Sequence, residues 1–95
     1  MAGQHYKSKE TASFKCAIYY TDGSIGVYYS RDYKNDRFRP DLGLAALNAL
    51  VAASGDRVKD AMIWDKRCGR DRLVRKCKSF RQGWIVNLPV DFELV

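Results

Sequence analysis

The segment from Phe14 to Ser30 constrains the fold more than any other part of the chain. Two β-prone runs, FKCAIYY and IGVYYS, flank Asp22-Gly23. That dipeptide favours a two-residue type I′ hairpin turn, whose central positions both need positive φ. With this pair as the loop, Thr21 faces Ser24, Tyr20 faces Ile25, Ile18 faces Val27 and Cys16 faces Tyr29. Successive side chains on a strand point to opposite faces. Together with Phe14, these residues then form one apolar face. Lys15, Ala17, Tyr19, Gly26, Tyr28 and Ser30 form the other. The assignment depends on register, because a slip of one residue turns a strand inside out.

An apolar hairpin face needs a second layer. Pro40-Asp41 supplies a helix start with Asp41 as the N-cap, and the helix runs from Leu42 to about Ser54, where Gly55 ends it. Asn48 is almost its only polar side chain. Leu44, Leu47 and Val51 make a row that can cover the sheet. Leu42, Ala46, Leu50 and Ala53 make a second row, which calls for either the C-terminal tail or a second copy in a homodimer. Asp56 to Asp65 admits a short second helix capped by Asp56, but reads better as a helical turn and then a strand from Ala61 to Trp64. Arg72 to Phe80 and Trp84 to Leu88 read as strands around a turn at Arg81-Gln82-Gly83, and Pro89 marks an end or an edge.

The expected fold class is therefore α+β: an antiparallel sheet of four to five strands, made of the N-terminal hairpin and then C-terminal strands, with one main helix packed on one face. Residues 1–13 are polar and read as a flexible N-terminal segment. Residues 14–95 then form a single domain, since 95 residues leave room for one core.

Charge is concentrated in one place. Residues 1–65 carry nine cations and eight acids, and residues 82–95 carry only Asp91 and Glu93. Between them, Lys66, Arg67, Arg70, Arg72, Arg75, Lys76, Lys78 and Arg81 stand against Asp71 alone, a net +7 within an overall +6. On a regular strand, Leu73, Arg75, Cys77 and Ser79 share one face, and Arg72, Val74, Lys76, Lys78 and Phe80 share the other. Such a density of Lys and Arg suits a phosphate backbone. It also suits an acidic protein surface, or simply a solvated edge strand. Lys15 with Tyr19 and Tyr28 on the hairpin, and Arg37 and Arg39 before the helix, are candidate additional contacts, because exposed aromatics on a sheet can stack unpaired bases.

Other chemistries find little footing. The three cysteines, Cys16, Cys68 and Cys77, include no C-x-x-C pair, and the single histidine is His5. No metal site, cofactor or catalytic residue is expected: there is no nucleophile-base arrangement and no phosphate-binding glycine loop. Asp22, Asp41 and Asp56 fall at turns and helix ends, where a short carboxylate has a structural use. An odd number of cysteines and a polar first ten residues point to free thiols and a cytoplasmic setting. No apolar run reaches the roughly 18 residues of a membrane span.

Two functions follow as expectations. The first is a non-enzymatic protein that binds DNA or RNA with weak sequence preference. The second is a phage or mobile-element inhibitor or adaptor, of the anti-CRISPR or anti-restriction type, that docks on a host protein or nucleoprotein complex.

Overall fold

The computed structural model describes residues 12–30, 39–79 and 82–92. Its elements are β1 (Phe14–Tyr20), β2 (Ile25–Tyr29), α1 (Pro40–Ser54), a 3-10 turn (Gly55–Arg57), β3 (Val58–Asp65), β4 (Arg72–Cys77) and β5 (Val86–Asn87). The strands form one antiparallel sheet in the order β2-β1-β3-β4-β5. With the one helix of the described residues on one face, this is the α+β architecture expected, and its first two strands are the N-terminal hairpin.

The core lies between α1 and the sheet. Phe14, Cys16 and Ile18 of β1, Ala61 and Ile63 of β3, Val74 and Cys77 of β4, and Leu47 and Val51 of α1 are fully buried there. Leu44 joins the same row, so the helix face read from the sequence is the one that packs. On the other row, Leu50 packs partly against the core, whereas Leu42 and Ala53 are exposed. The tail also contributes: Val90 and Phe92 pack on the core, and Phe92 meets Phe14 edge-on at 6.1 Å.

The hairpin register differs from the sequence expectation by one residue. Cys16 pairs with Tyr28, Ala17 with Val27 and Ile18 with Gly26. The loop is Thr21-Asp22-Gly23, not Asp22-Gly23. Tyr20 N–H donates to the Ser24 carbonyl (2.9 Å) and Gly23 N–H to the Tyr20 carbonyl (3.0 Å). Among the described residues only glycines have positive φ, and Gly23 lies at +91°. Asp22 Oδ1 accepts from both the Ser24 N–H and the Ser24 hydroxyl, and Thr21 N–H donates to the Arg57 carbonyl. Thr21 is thereby drawn toward the turn before β3 and away from Ser24. Three-residue loops closed by a glycine at positive φ are the next commonest hairpin solution.

The slip exchanges the faces of β2. Gly26 and Tyr28 turn toward the helix, where the Tyr20 and Tyr28 hydroxyls bond at 2.8 Å. Ile25 and Val27 turn away from it and are 59% and 49% exposed. Gly26 lies beneath the Tyr28 ring, so close that a Cβ there would collide with it.

Three further expectations are corrected. Asp41 is not the N-cap: Pro40 begins the helix, Arg39 precedes it, and Asp41 in the first turn takes two hydrogen bonds from the Arg39 guanidinium. The strand read over Arg72–Phe80 spans Arg72–Cys77, with Phe80 outside the described residues. Regular alternation within it fails, because Ile63 pairs with Arg75 while Trp64 pairs with Leu73. The bulge that absorbs the extra residue lets Val74 and Cys77 both enter the core. Finally, the Trp84–Leu88 strand contracts to Val86–Asn87.

Candidate functional site

The sheet face turned away from α1 can be laid out in rows from the pairing. Tyr29, Lys15, Trp64 and Leu73 form the first row. Val27, Ala17, Met62, Lys76 and Val86 form the second. Ile25, Tyr19 and Asp60 form the third. Among the described residues no helix or strand crosses this face, since α1, Trp84, Val90 and Phe92 all pack on the opposite side. Ala17, in the second row, is only 5% exposed, whereas Tyr29, Trp64 and Tyr19 around it are half-buried.

Lys15 sits at the centre of the first row. Its ammonium lies 5.4 Å from the centroid of the Trp64 ring and 3.9 Å from an Asp71 carboxylate oxygen. Lys66 approaches the other oxygen of Asp71 at 3.5 Å. Arg70 and Lys78 are exposed at the two ends of β4, and Lys76 projects beside Met62. Among the described residues, Arg70, Lys76 and Lys78 make no ion pair.

The remaining cations of the basic stretch serve the fold. Arg67 donates twice to the Asp65 carboxylate and once to the Asp91 carbonyl, and its guanidinium packs over Phe14 and Phe92. Arg72 stands 3.6 Å from the same carboxylate. Arg75 donates to the carbonyls of Val74 and Leu88, which ties the chain after β5 to β4. Burial lowers the Arg75 pKa. Burial raises that of Asp65, but the Arg67 hydrogen bonds and the nearby Arg charges outweigh it and leave the carboxyl below its ordinary range.

Of the additional contacts read from the sequence, Lys15 and Tyr19 lie on the open face. Tyr28 does not: the register slip places it on the helix side. Arg39 is paired with Asp41. Arg37 and Arg81 lie outside the described residues. Sequence reasoning missed Tyr29 and Trp64. Tyr29 was assigned to the core by the two-residue loop. Trp64 lies in a run, Ala61 to Trp64, with no polar alternation to reveal its facing.

The buried sulfurs offer no reactive group. Burial, with Cys77 nearby, pushes the Cys16 thiol up to about 12, and burial also raises Cys77. A thiol so raised stays protonated at neutral pH and is neither nucleophile nor ready metal ligand. Among the described residues, no three His, Cys, Asp or Glu side chains converge as a metal site would require. Among the described residues, no helix is long and apolar enough to cross a membrane.

Comparison of the chain with protein-family models, curated proteins and solved structures finds no match. The functional reading therefore rests on the geometry above.

Proposed function

We propose that this chain is a small, non-enzymatic nucleic-acid-binding protein that grips the sugar-phosphate backbone with Lys15 and the outward cations of the 66–81 stretch. The observation that carries this reading is the division of labour among the cations. Arg67 and Arg75 are committed to a carboxylate and to carbonyls of the fold, while Arg72, its side chain 56% exposed, stands beside the Asp65 carboxylate. Among the described residues, Arg70, Lys76 and Lys78 make no ion pair, and Lys15 and Lys66 pair with Asp71 alone, whose side chain is 39% exposed. Ion pairs of that kind contribute little to stability, so Asp71 is readily exchanged for phosphate. The cations lie on a sheet and its flanking turns, not on a helix that could enter a major groove. Contacts to phosphate position a protein without reading bases, which fits weak sequence preference.

Gel-shift titrations with short DNA and RNA at 50 and 200 mM salt test the reading. Neutralising about four phosphates predicts roughly a 50- to 150-fold loss of affinity between the two salt concentrations. Binding that is insensitive to salt, or absent at the lower concentration, overturns it. A second reading, docking on an acidic protein surface, draws on the exposed Ile25 and Val27, which suit a partly apolar partner.

A further inference from the structure

We infer that the open sheet face is a stacking platform for unpaired bases, so that the preferred ligand is single-stranded rather than duplex nucleic acid. This rests on the backbone-binding reading and names its substrate class. Tyr29 and Trp64 stand in one row on either side of Lys15. Two strand spacings separate them, about 10 Å. Tyr19 lies two rows further along, beyond Ala17. Aromatic rings stack on any unpaired base, and a lysine set between them can meet the phosphate linking two bases. Bases within a duplex are already stacked on one another and cannot reach such a platform.

Charge favours nucleic acid over an apolar protein as the occupant. A sheet face built for a second copy or a protein core has little use for Lys15 at its centre and Lys76 in its second row, since charged residues are depleted from the middle of such contacts. Here Lys15 already holds its ammonium over the Trp64 ring, and its ion-pair partner among the described residues is an exposed acid. An incoming phosphate replaces Asp71, and an incoming base shares or takes the ring.

The test compares a labelled oligothymidylate, the matching oligouridylate and a duplex of equal length, by fluorescence anisotropy at low salt. The single strands are expected to bind at least about 10-fold more tightly than the duplex. Tyr29→Leu and Trp64→Leu, which keep the face apolar, are each expected to lower single-strand affinity by about 10-fold or more and to leave the weaker duplex binding unchanged. A Trp84→Phe variant leaves Trp64 as the sole indole, and its fluorescence should be quenched on adding oligothymidylate. This readout does not require the platform residues to be replaced. Equal affinity for duplex and single strand overturns the inference, as do unchanged binding in both Leu variants or an unquenched Trp64. In each of those cases backbone binding itself can survive. No oligonucleotide binding at all removes the backbone reading, and the platform with it. A concentration-independent dimer that Val27→Glu splits assigns the face to a second copy and likewise overturns the inference.

Discussion

Asp65 is only 3% exposed yet keeps its charge, because Arg67 reaches it through its backbone N–H, its Nε and its terminal guanidinium nitrogen. The same guanidinium continues to the Asp91 carbonyl, so one carboxylate anchors the turn after β3 and, through Arg67, the C-terminal segment. Replacing it with Asn removes the charge and leaves Arg67 without its counter-ion. The expected cost at neutral pH is about 2 kcal/mol, read from urea unfolding. The pH dependence has a definite sign. The folded carboxyl has a lowered pKa, so the unfolded state binds more protons through the acid range and stability rises with pH there. The Asp65 contribution is complete above the ordinary carboxyl range of about 4 and disappears as pH falls through the folded value. Asp65→Asn should therefore lose less stability than the parent on going from neutral pH to acid. Asp22 and Asp41 also titrate low, held by Ser24 and Arg39, but both are retained in the variant. The difference between the two curves isolates Asp65.

At the scale of elements, the kinds and order of the strands and the helix were legible, and the register was not. Alternation in Phe14–Ser30 marks two strands whichever loop joins them, and Pro40 and Gly55 bracket a helix by chemistry that does not depend on packing. Asp22-Gly23, by contrast, fits either a two-residue or a three-residue loop. The choice is made by contacts distant in sequence, the Arg57 carbonyl that takes the Thr21 N–H and the Tyr20–Tyr28 hydroxyl bond. Both faces of β2 carry apolar or aromatic side chains, so the pattern could not expose the slip. The same limit hid the bulge that turns Val74 and Cys77 inward together. Much of the candidate site followed the register: Lys15 and Tyr19 were placed on the open face from β1 alone, whereas Tyr29 replaced Tyr28 once β2 shifted. The register makes its own prediction. Val27→Thr should change stability by less than about 0.5 kcal/mol, as at other solvent-facing positions. Tyr28→Ala should cost about 2 kcal/mol, somewhat below a fully buried aromatic. A two-residue loop would reverse that order in urea unfolding.

Across the whole molecule, a basic stretch that is continuous in sequence becomes two populations in space. One population is internal. Arg67 and Arg75 tie the segments after β3 and β5 to the sheet, at the end where β4 and the short β5 need support. The other population is peripheral: Arg70, Lys76 and Lys78 make no ion pair among the described residues and lie outside the buried core cluster. Stability and binding should then separate cleanly by residue. Arg75→Ala removes the hydrogen bond to the Leu88 carbonyl, which holds the edge, and is expected to cost about 1–2 kcal/mol. Its effect on oligonucleotide affinity at temperatures well below unfolding should be small. The triple reversal of Arg70, Lys76 and Lys78 to Glu should shift unfolding by no more than about 1 kcal/mol in total, because none of the three makes an ion pair among the described residues, Arg70 and Lys78 are exposed, and Lys76 lies on the open face. In the gel shift, however, it should abolish binding, since it replaces three phosphate contacts with three repulsions. Calorimetry and gel shift on the same preparations decide the matter. If the triple reversal unfolds the protein, the peripheral cations are structural after all. If Arg75→Ala weakens binding as strongly as the reversal does while the fold persists, the division between internal and peripheral cations fails.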